Sequence, residues 1–145
     1  MLEVEAVWKK KYQVEVTARQ FEVPVDEPPQ YSGDDTGMMP TELFLASIAS
    51  CFCMALVYAA KNRKVSVSDM KVTAFGDTDP KNFTFSRIVV RVISTLSEAD
   101  LEVIMPLAKR YCFVSNAVSQ SCPMDYETAR PGDQGRSRNE NGRDI

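Results

Sequence analysis

The sequence predicts an α+β fold, because segments in which apolar and polar residues alternate surround one long helical segment without a charge. The length of 145 residues suits a single domain. An apolar fraction of 44% and a charged fraction of 26% are typical of soluble globular proteins. The uncharged segment covers eighteen residues, from Leu43 to Ala60, and is the most distinctive feature of the chain.

The composition excludes several classes of chemistry. The chain has 17 Lys and Arg against 20 Asp and Glu, which gives a net charge of −3, and it has no histidine. Without an excess of basic residues, a nucleic-acid partner loses its main electrostatic support. Without histidine, Ser-His-Asp hydrolysis, Cys-His proteolysis and histidine-ligated metal or haem sites are excluded. We therefore expect small molecules or proteins as partners, and no nucleic acid.

Three short strands are predicted at the start of the chain. Apolar residues occupy alternate positions over 2–8 and again over 12–18, so the three lysines at 9–11 are predicted to form a hairpin turn. A third strand is predicted over 21–25 at the edge of the sheet, because its proline cannot donate a backbone hydrogen bond. Residues 26–39 are rich in proline, glycine and acidic residues and are predicted to form an irregular loop, which is usually functional at this length.

The uncharged segment is predicted to be a helix that is buried on all sides. Pro40 suits the first helical turn. The basic residues within 61–64 would stabilise the negative, C-terminal end of the helix dipole. A membrane span is the alternative for such a segment, but its serines, alanines and cysteines dilute the hydrophobicity, so we expect no membrane. A chain this small has too few elements to cover the helix, so a second copy is expected to cover it in a homodimer.

A second hairpin is predicted after the helix. Apolar residues alternate with polar ones over 65–74, where a change of phase indicates a bulge near Asp69. The alternation resumes over 83–92, and the Gly-Asp-Thr-Asp-Pro sequence at 76–80 is predicted to be the connecting turn.

The remaining segments are predicted to be a helix pair, a strand and a tail. Ser97 resembles a capping residue that opens a helix, and Pro106 is expected to kink or restart that helix. A last short strand is predicted at 123–127. The folded domain therefore covers residues 1–128, and residues 129–145 form a polar C-terminal tail.

The cysteines lie at positions 51, 53, 112 and 122. The charged N-terminus is unlike a secretory signal peptide, so we expect a cytoplasmic protein, in which thiols serve chemistry more often than structural bridges. Cys53 points about 200° around the helix from Cys51, so the two sulfurs cannot ligate one metal ion. Because the chain also lacks a Cys-x-x-Cys pair, we expect no metal site.

Each of the two remaining candidate thiols has two interpretations. Cys51 is either a small buried apolar residue or a reactive thiol in the middle of the helix. Cys112 follows Lys109 and Arg110, and these cations together with a nearby helix start favour the thiolate and a lowered pKa, although it could equally be core. Cys122 is expected to be incidental.

Two motifs resemble the OsmC/Ohr family, the osmotically inducible and organic hydroperoxide resistance proteins. The first is PTELFLASIASC, which starts the helix at Pro40 and ends at Cys51. The second is CFVSN, which opens at Cys112, sixty-one residues later. The order of predicted elements is also similar to that family over residues 1–128.

The resemblance implies an intertwined homodimer in which antiparallel sheets wrap around central buried helices and each site is built from both chains. It also implies a thiol-dependent peroxidase that needs no cofactor. In such enzymes a Cys51-like thiolate attacks an organic hydroperoxide and becomes a sulfenic acid. A Cys112-like thiol then condenses with it to a disulfide, which a dithiol such as a lipoylated protein reduces.

The family also implies supporting residues, and here the chain differs from its peroxidases. These place a glutamate directly after the helix-start proline, where this chain has Thr41, with Glu42 one residue later. They also use an arginine of the first hairpin, which aligns with Lys10 and Lys11, or with Arg19 as a second candidate. Lysine lacks the bidentate fork of arginine. The alternatives are therefore an OsmC-like dimer that binds an apolar or electrophilic small molecule without turnover, and a structural dimer whose thiols only pack.

Overall fold

The structure is a computed structural model of the chain. It describes residues 1–133 and the backbone of a short strand at 138–139. Two compact units are present, Met1–Phe44 and Leu45–Ile145. The described residues form two small sheets and three α-helices, which confirms the predicted α+β class.

The first unit contains the predicted three-stranded sheet. Strands β1 (Glu5–Lys10), β2 (Gln13–Ala18) and β3 (Phe21–Val25) pair antiparallel in that order. The strand that carries Pro24 is therefore at an edge, as its missing N–H requires. The first hairpin turn begins two residues later than predicted, because β1 continues through Lys10 and the left-handed backbone conformation, with φ of 47°, occurs at Lys11.

The loop after β3 is organised by a buried aspartate. The Asp26 carboxylate accepts hydrogen bonds from the backbone N–H groups of Glu27, Asp34 and Thr36, at 2.8, 3.2 and 3.1 Å, and from the Thr36 hydroxyl at 2.8 Å. Burial raises the pKa of Asp26, but these hydrogen bonds outweigh it and leave the pKa below its ordinary value. The loop is thus ordered around one carboxylate, which the composition of the segment does not reveal.

The long helix, α1 (Pro40–Asn62), begins at the predicted proline. Its buried residues are all on one side: Ile48, Phe52, Ala55, Leu56, Ala59 and Ala60. In a single chain the helix is not buried on all sides, because Met54 is 67% exposed and Val57 and Tyr58 are also exposed. The predicted burial on all sides depends on the second copy that is expected to cover the helix.

The same helix meets the length and composition criteria for a membrane span. The most apolar eighteen-residue window within Pro40–Asn62 has a mean hydropathy of 2.2, and 33% of it is buried. The core helix of a soluble protein meets the same criteria, so this is weak evidence for a membrane span.

The second sheet has the order β4-β5-β6-β7, formed by β4 (Met70–Asp79), β5 (Thr84–Ser94), β6 (Met124–Ala129) and β7 (Arg138–Asn139). Strand pairs β4–β5 and β6–β7 are antiparallel, whereas β5 and β6 are parallel. A parallel pair needs a long crossover, which the two helices between β5 and β6 provide. The sheet is therefore mixed rather than purely antiparallel.

The second hairpin differs from its prediction at two points. The segment 76–80 is not the turn, because β4 continues to Asp79, whose carboxylate accepts hydrogen bonds from the backbone N–H of Lys81 at 3.0 Å and from the side chain of Asn82 at 2.7 Å. The register shift lies between Asp77 and Thr78 rather than near Asp69. Asp69 precedes β4 and instead accepts a hydrogen bond from the Thr95 hydroxyl at 2.6 Å.

Helices α2 (Glu98–Tyr111) and α3 (Phe113–Val118) cross from β5 to β6. The Ser97 hydroxyl accepts a hydrogen bond from the backbone N–H of Asp100 at 3.1 Å, which confirms the predicted cap. The predicted restart at Pro106 is wrong, since α2 continues through it. The buried residues Ile104 and Ala108 on either side of this exposed proline hold the helix against the core.

The core of the second unit lies between the long helix, the sheet and α2. Ile48, Phe52 and Leu56 of α1 belong to the same cluster of buried residues as the alternate β5 residues Ile88, Val90 and Val92, and α2 adds Ile104 and Ala108. The residues of the predicted tail start with the end of β6 and include β7, which pairs with β6. Positions 134–137 and 140–145 of that tail lie outside the described residues.

Candidate functional site

The structure brings Cys51 and Cys112 together in the second unit. Their side chains are close enough for Cys51 to raise the pKa of Cys112, although sixty-one residues separate them in the sequence. Cys112 is fully buried, with 0% exposure, whereas Cys51 is partly exposed. Both are free thiols. Two free thiols that are neighbours in the fold meet the first requirement for a disulfide, which is proximity.

The position of Cys112 is fixed by a break between two helices. Its extended backbone conformation, with ψ of 97°, ends α2 and begins α3. Its backbone N–H donates to the carbonyl oxygen of Ala108 at 2.9 Å, and its own carbonyl oxygen accepts from the N–H of Asn116 at 3.0 Å. The Asn116 side chain donates to the carbonyl oxygen of Arg110 at 3.0 Å and so ties the break together.

A buried serine and a partly buried tyrosine lie next to the thiol pair. The Cys112 Sγ and the Ser115 Oγ lie 3.0 Å apart, and Ser115 is only 1% exposed. The side chain of Tyr126, on β6, is close enough to Ser115 for the serine hydroxyl to act on the Tyr126 pKa, which it lowers. The Tyr126 ring packs on Phe52 of α1 with a centroid separation of 4.9 Å. One thiol is thus linked to two hydroxyl groups from two further elements.

A cation also lies at this site. The ammonium group of Lys109 is 4.4 Å from the centroid of the Tyr126 ring, a cation–π contact. Burial lowers the pKa of Lys109 and raises the pKa of Tyr126. Both shifts favour the neutral form of the side chain, because burial away from water disfavours the charged form.

Burial raises the pKa of Cys112, and hydrogen bonding to Ser115 acts in the opposite direction. The neighbouring Cys51 raises this pKa further. The expectation of a lowered pKa from nearby cations is therefore wrong for Cys112. The cations do not lower this pKa because the Cys112 thiol faces the core, while Arg110 is exposed and Lys109 lies over an aromatic ring.

The predicted supporting residues belong to the first unit, where their contacts are local. The Glu42 carboxylate accepts a hydrogen bond from the backbone N–H of Met39 at 2.9 Å, as in a helix capping box. Lys11 forms an ion pair with Asp34 at 2.6 Å. The Arg19 guanidinium stacks on a neighbouring aromatic ring at 5.0 Å, and Lys10 is the last residue of β1.

The other two cysteines have separate environments. Cys122 is buried, its sulfur is 3.3 Å from the carbonyl oxygen of Phe85, and burial raises its pKa. Cys53 is partly exposed. Among residues 1–133, no cluster of three or more cysteine, aspartate or glutamate side chains could hold a metal ion.

Ser115 and Tyr126 are site residues that the sequence patterns did not indicate, and Lys109, expected to act on the Cys112 thiolate, lies over the Tyr126 ring instead. Ser115 could have been found, because it lies three residues after Cys112 within the second motif and helical spacing brings such side chains together. Tyr126 gives no local signal, since only the parallel pairing of β6 with β5 brings it to the thiol.

Comparison with known proteins supports the resemblance of the motifs. Residues 33–127, more than half of the chain, match the family described as OsmC-like protein. None of the curated proteins matches the sequence.

Several solved structures share the fold. An Aquifex aeolicus protein described as hypothetical is 23% identical with a TM-score of 0.76, covering 90% of this chain and 97% of its own. An organic hydroperoxide resistance protein OsmC of Legionella pneumophila is 22% identical with a TM-score of 0.72, covering 89% and 96%. A Vibrio cholerae protein named for organic hydroperoxide resistance, with captopril bound in one of its active sites, is 22% identical with a TM-score of 0.71, covering 91% and 92%.

At these identities the structural similarity establishes the fold alone. The family match spans both thiol motifs and establishes the family as well as the fold. The chain belongs to the family of OsmC-like proteins.

Proposed function

We propose that the protein is a thiol-dependent peroxidase that reduces organic hydroperoxides. The sulfur of Cys51 attacks the terminal oxygen of the hydroperoxide, the O–O bond breaks, and the products are an alcohol and a sulfenic acid on Cys51. The thiol of Cys112 then attacks that sulfur, forming a disulfide and releasing water. A dithiol, such as a lipoylated protein, restores both thiols.

The observation that carries this proposal is the contact between the two thiols. Cys51 is partly exposed, so a substrate can reach it, and Cys112 is buried close enough for Cys51 to raise its pKa. A sulfenic acid formed on Cys51 would therefore meet a resolving thiol before it met a second peroxide. The names of the Legionella and Vibrio proteins with the same fold support a role in hydroperoxide resistance.

The proposal includes an intertwined homodimer with each site built from both chains. Large apolar side chains support it, because Met54, Val57 and Tyr58 of α1 are exposed in a single chain. In the first unit all six residues of β1 are exposed, Trp8 among them at 69%. We propose that a second copy covers these surfaces, and that the positive charge at the thiolate comes from Lys10, Lys11 or Arg19, with Glu42 as its partner.

The proposed setting is the cytoplasm. A reducing compartment keeps thiols free for turnover. The apolar side of α1 is assigned to protein contacts rather than to a membrane, the charge of −3 disfavours nucleic acid, and the two-thiol chemistry needs no cofactor.

The experiment measures consumption of cumene hydroperoxide by the fully reduced protein without an added reductant. We expect one hydroperoxide to be consumed per chain, with loss of two free thiols and formation of a disulfide between Cys51 and Cys112 by peptide mapping. The variant Cys51→Ser should consume none. Cys53→Ser is the matched control, because it removes a thiol from the same helix and should leave consumption intact. Undiminished hydroperoxide consumption by Cys51→Ser would refute the assignment of Cys51 as the thiol that attacks the hydroperoxide.

A second candidate is a dimer that binds an apolar or electrophilic small molecule beside Cys51 without turnover. Two observations favour it: burial raises the pKa of Cys112, and Lys11 is already paired with Asp34. In that case the reduced protein would form a stable covalent adduct with an electrophile at Cys51 while cumene hydroperoxide remained unconsumed.

A further inference from the structure

Ser115 is a buried polar residue whose side chain lies against the resolving thiol. Its hydroxyl oxygen is 3.0 Å from the Cys112 sulfur, and the residue is 1% exposed. Burying a polar group lowers the stability of the fold unless that group is hydrogen-bonded. Ser115 therefore needs partners in the protein; Cys112 is one, and the Tyr126 side chain is near enough for Ser115 to lower its pKa.

The chain of hydroxyl groups has a preferred direction. A neutral tyrosine hydroxyl has one proton, and when Tyr126 donates it to the Ser115 oxygen, the single proton of Ser115 is directed at the Cys112 sulfur. A thiolate only accepts hydrogen bonds, so this arrangement matches the thiolate of Cys112. Cooperative polarisation along such a chain strengthens each hydrogen bond.

We propose that Ser115 and Tyr126 are positioning residues for the resolving step, holding the Cys112 sulfur beside Cys51 and stabilising its thiolate through a two-hydroxyl relay. This rests on the proposed function, in which Cys112 is the resolving thiol. Ser115 comes from α3, Tyr126 from β6 and Cys51 from α1, so three elements converge on one sulfur.

The relay acts on a balanced reaction. The Cys112 sulfur forms a bond to the Cys51 sulfur while the S–O bond of the sulfenic acid breaks. The thiol proton of Cys112 combines with the departing hydroxide to give water, and the Cys51 sulfur is reduced as the Cys112 sulfur is oxidised. The titratable groups that interact with Cys112 are Cys51 on α1 and Tyr126 on β6, and the ammonium group of Lys109 on α2 lies over the Tyr126 ring.

The expected effect follows from the loss of one hydrogen bond to a thiolate. Removing the Ser115 hydroxyl should raise the pKa of Cys112 by about one unit. The thiolate fraction at neutral pH then falls about tenfold, while the greater nucleophilicity of the more basic thiolate recovers about threefold. The net slowing of the resolving step is about threefold at neutral pH, with its pH profile displaced upward by about one unit.

The experiment separates the resolving step from peroxide chemistry. The parent protein for the test carries Cys53→Ser and Cys122→Ser, so that only the reactive pair remains. Reaction with DTNB, an aromatic disulfide, places a thionitrobenzoate group on Cys51 and releases the first coloured thiolate. Attack by Cys112 on that mixed disulfide releases the second thiolate and leaves the Cys51–Cys112 disulfide. The ratio of the second rate to the first is measured against pH.

Two variants and one control test the relay. Ser115→Ala should lower the ratio about threefold and shift its pH profile upward by about one unit. Tyr126→Phe keeps the ring against Phe52 and should shift the profile in the same direction by less. Ser119→Ala is the control, because it removes an exposed serine hydroxyl at the end of the same helix and should change neither rate.

The outcomes are distinct. Identical pH profiles for Ser115→Ala and the parent protein would overturn the relay, and so would the absence of a second release from the parent. A shifted profile in a protein that forms no sulfenic acid with cumene hydroperoxide would instead overturn the proposed function. In that case the relay would remain as a property of thiol–disulfide exchange.

Discussion

The substitution Met54→Glu tests the proposed homodimer most directly. Met54 is 67% exposed on α1 in a single chain, between the buried residues Phe52 and Leu56 in sequence. Full burial of a methionine side chain is worth roughly 1.5–3 kcal/mol, so covering the exposed two thirds contributes about 1–2 kcal/mol. A two-fold interface contains the residue twice, which makes the contribution about 2–4 kcal/mol.

This contribution sets the size of the expected effect. Loss of about 2–4 kcal/mol corresponds to a roughly 30- to 1,000-fold increase in the dimer Kd. A glutamate adds the desolvation of two carboxylates, so the increase should be at least that large. Because the chain is proposed to build each site from two copies, hydroperoxide consumption should fall in parallel with the fraction of dimer.

The assay is sedimentation velocity over a dilution series. Gln120→Glu is the control, because it adds the same charge at an exposed polar position and should leave the Kd unchanged. A Met54→Glu protein with an unaltered Kd would refute the reasoning, since the exposed side of α1 would then not be covered by a second copy. A folded monomer of the unmodified chain at micromolar concentration would refute it as well.

Three further predictions concern the site, the core and the loop. In Cys112→Ser the sulfenic acid on Cys51 should persist after one equivalent of hydroperoxide and be trapped by dimedone, and rapid multiple turnover would contradict this. Phe52→Ala empties a fully buried position and should lower the free energy of unfolding by about 3–5 kcal/mol, as measured by urea titration. The depressed pKa of Asp26 means that the stability it contributes is present above about pH 4 and is lost as pH falls through the folded pKa, so amide protection at Thr36 should disappear in acid. Asp26→Asn should abolish that pH dependence, and protection of Thr36 that is insensitive to acid in the unmodified chain would argue against it.

Local patterns predicted the elements that local physics determines. The long helix begins at Pro40, Ser97 caps α2, and the strand with Pro24 lies at an edge, because each depends on one missing or one satisfied backbone hydrogen bond. The turn expected at 76–80 failed, since the pairing of β4 with β5 extends to Asp79 despite the glycine and aspartates. Long-range pairing there overrides the turn propensity of single residues.

In the candidate site, too, some features were predictable from local sequence and others depended on the complete fold. The motifs indicated Cys51 and Cys112, and in the structure the two thiols are close enough for Cys51 to raise the pKa of Cys112. The raised pKa of Cys112 could not be predicted, because neighbouring cations in the sequence say nothing about whether the thiol faces the core. Tyr126 could not be predicted either, since it reaches Ser115 through a parallel strand pair that depends on the complete crossover.

The unequal exposure of the two sulfurs determines which of them an incoming thiol could attack in a disulfide between Cys51 and Cys112. An incoming dithiol can approach Cys51, which is partly exposed, but not Cys112, which is at 0%. Reduction would therefore pass through a mixed disulfide on Cys51, with Cys112 as the departing sulfur. The group that leaves would be the one that Ser115 can stabilise, so the contact that assists closure of the disulfide would also assist its opening.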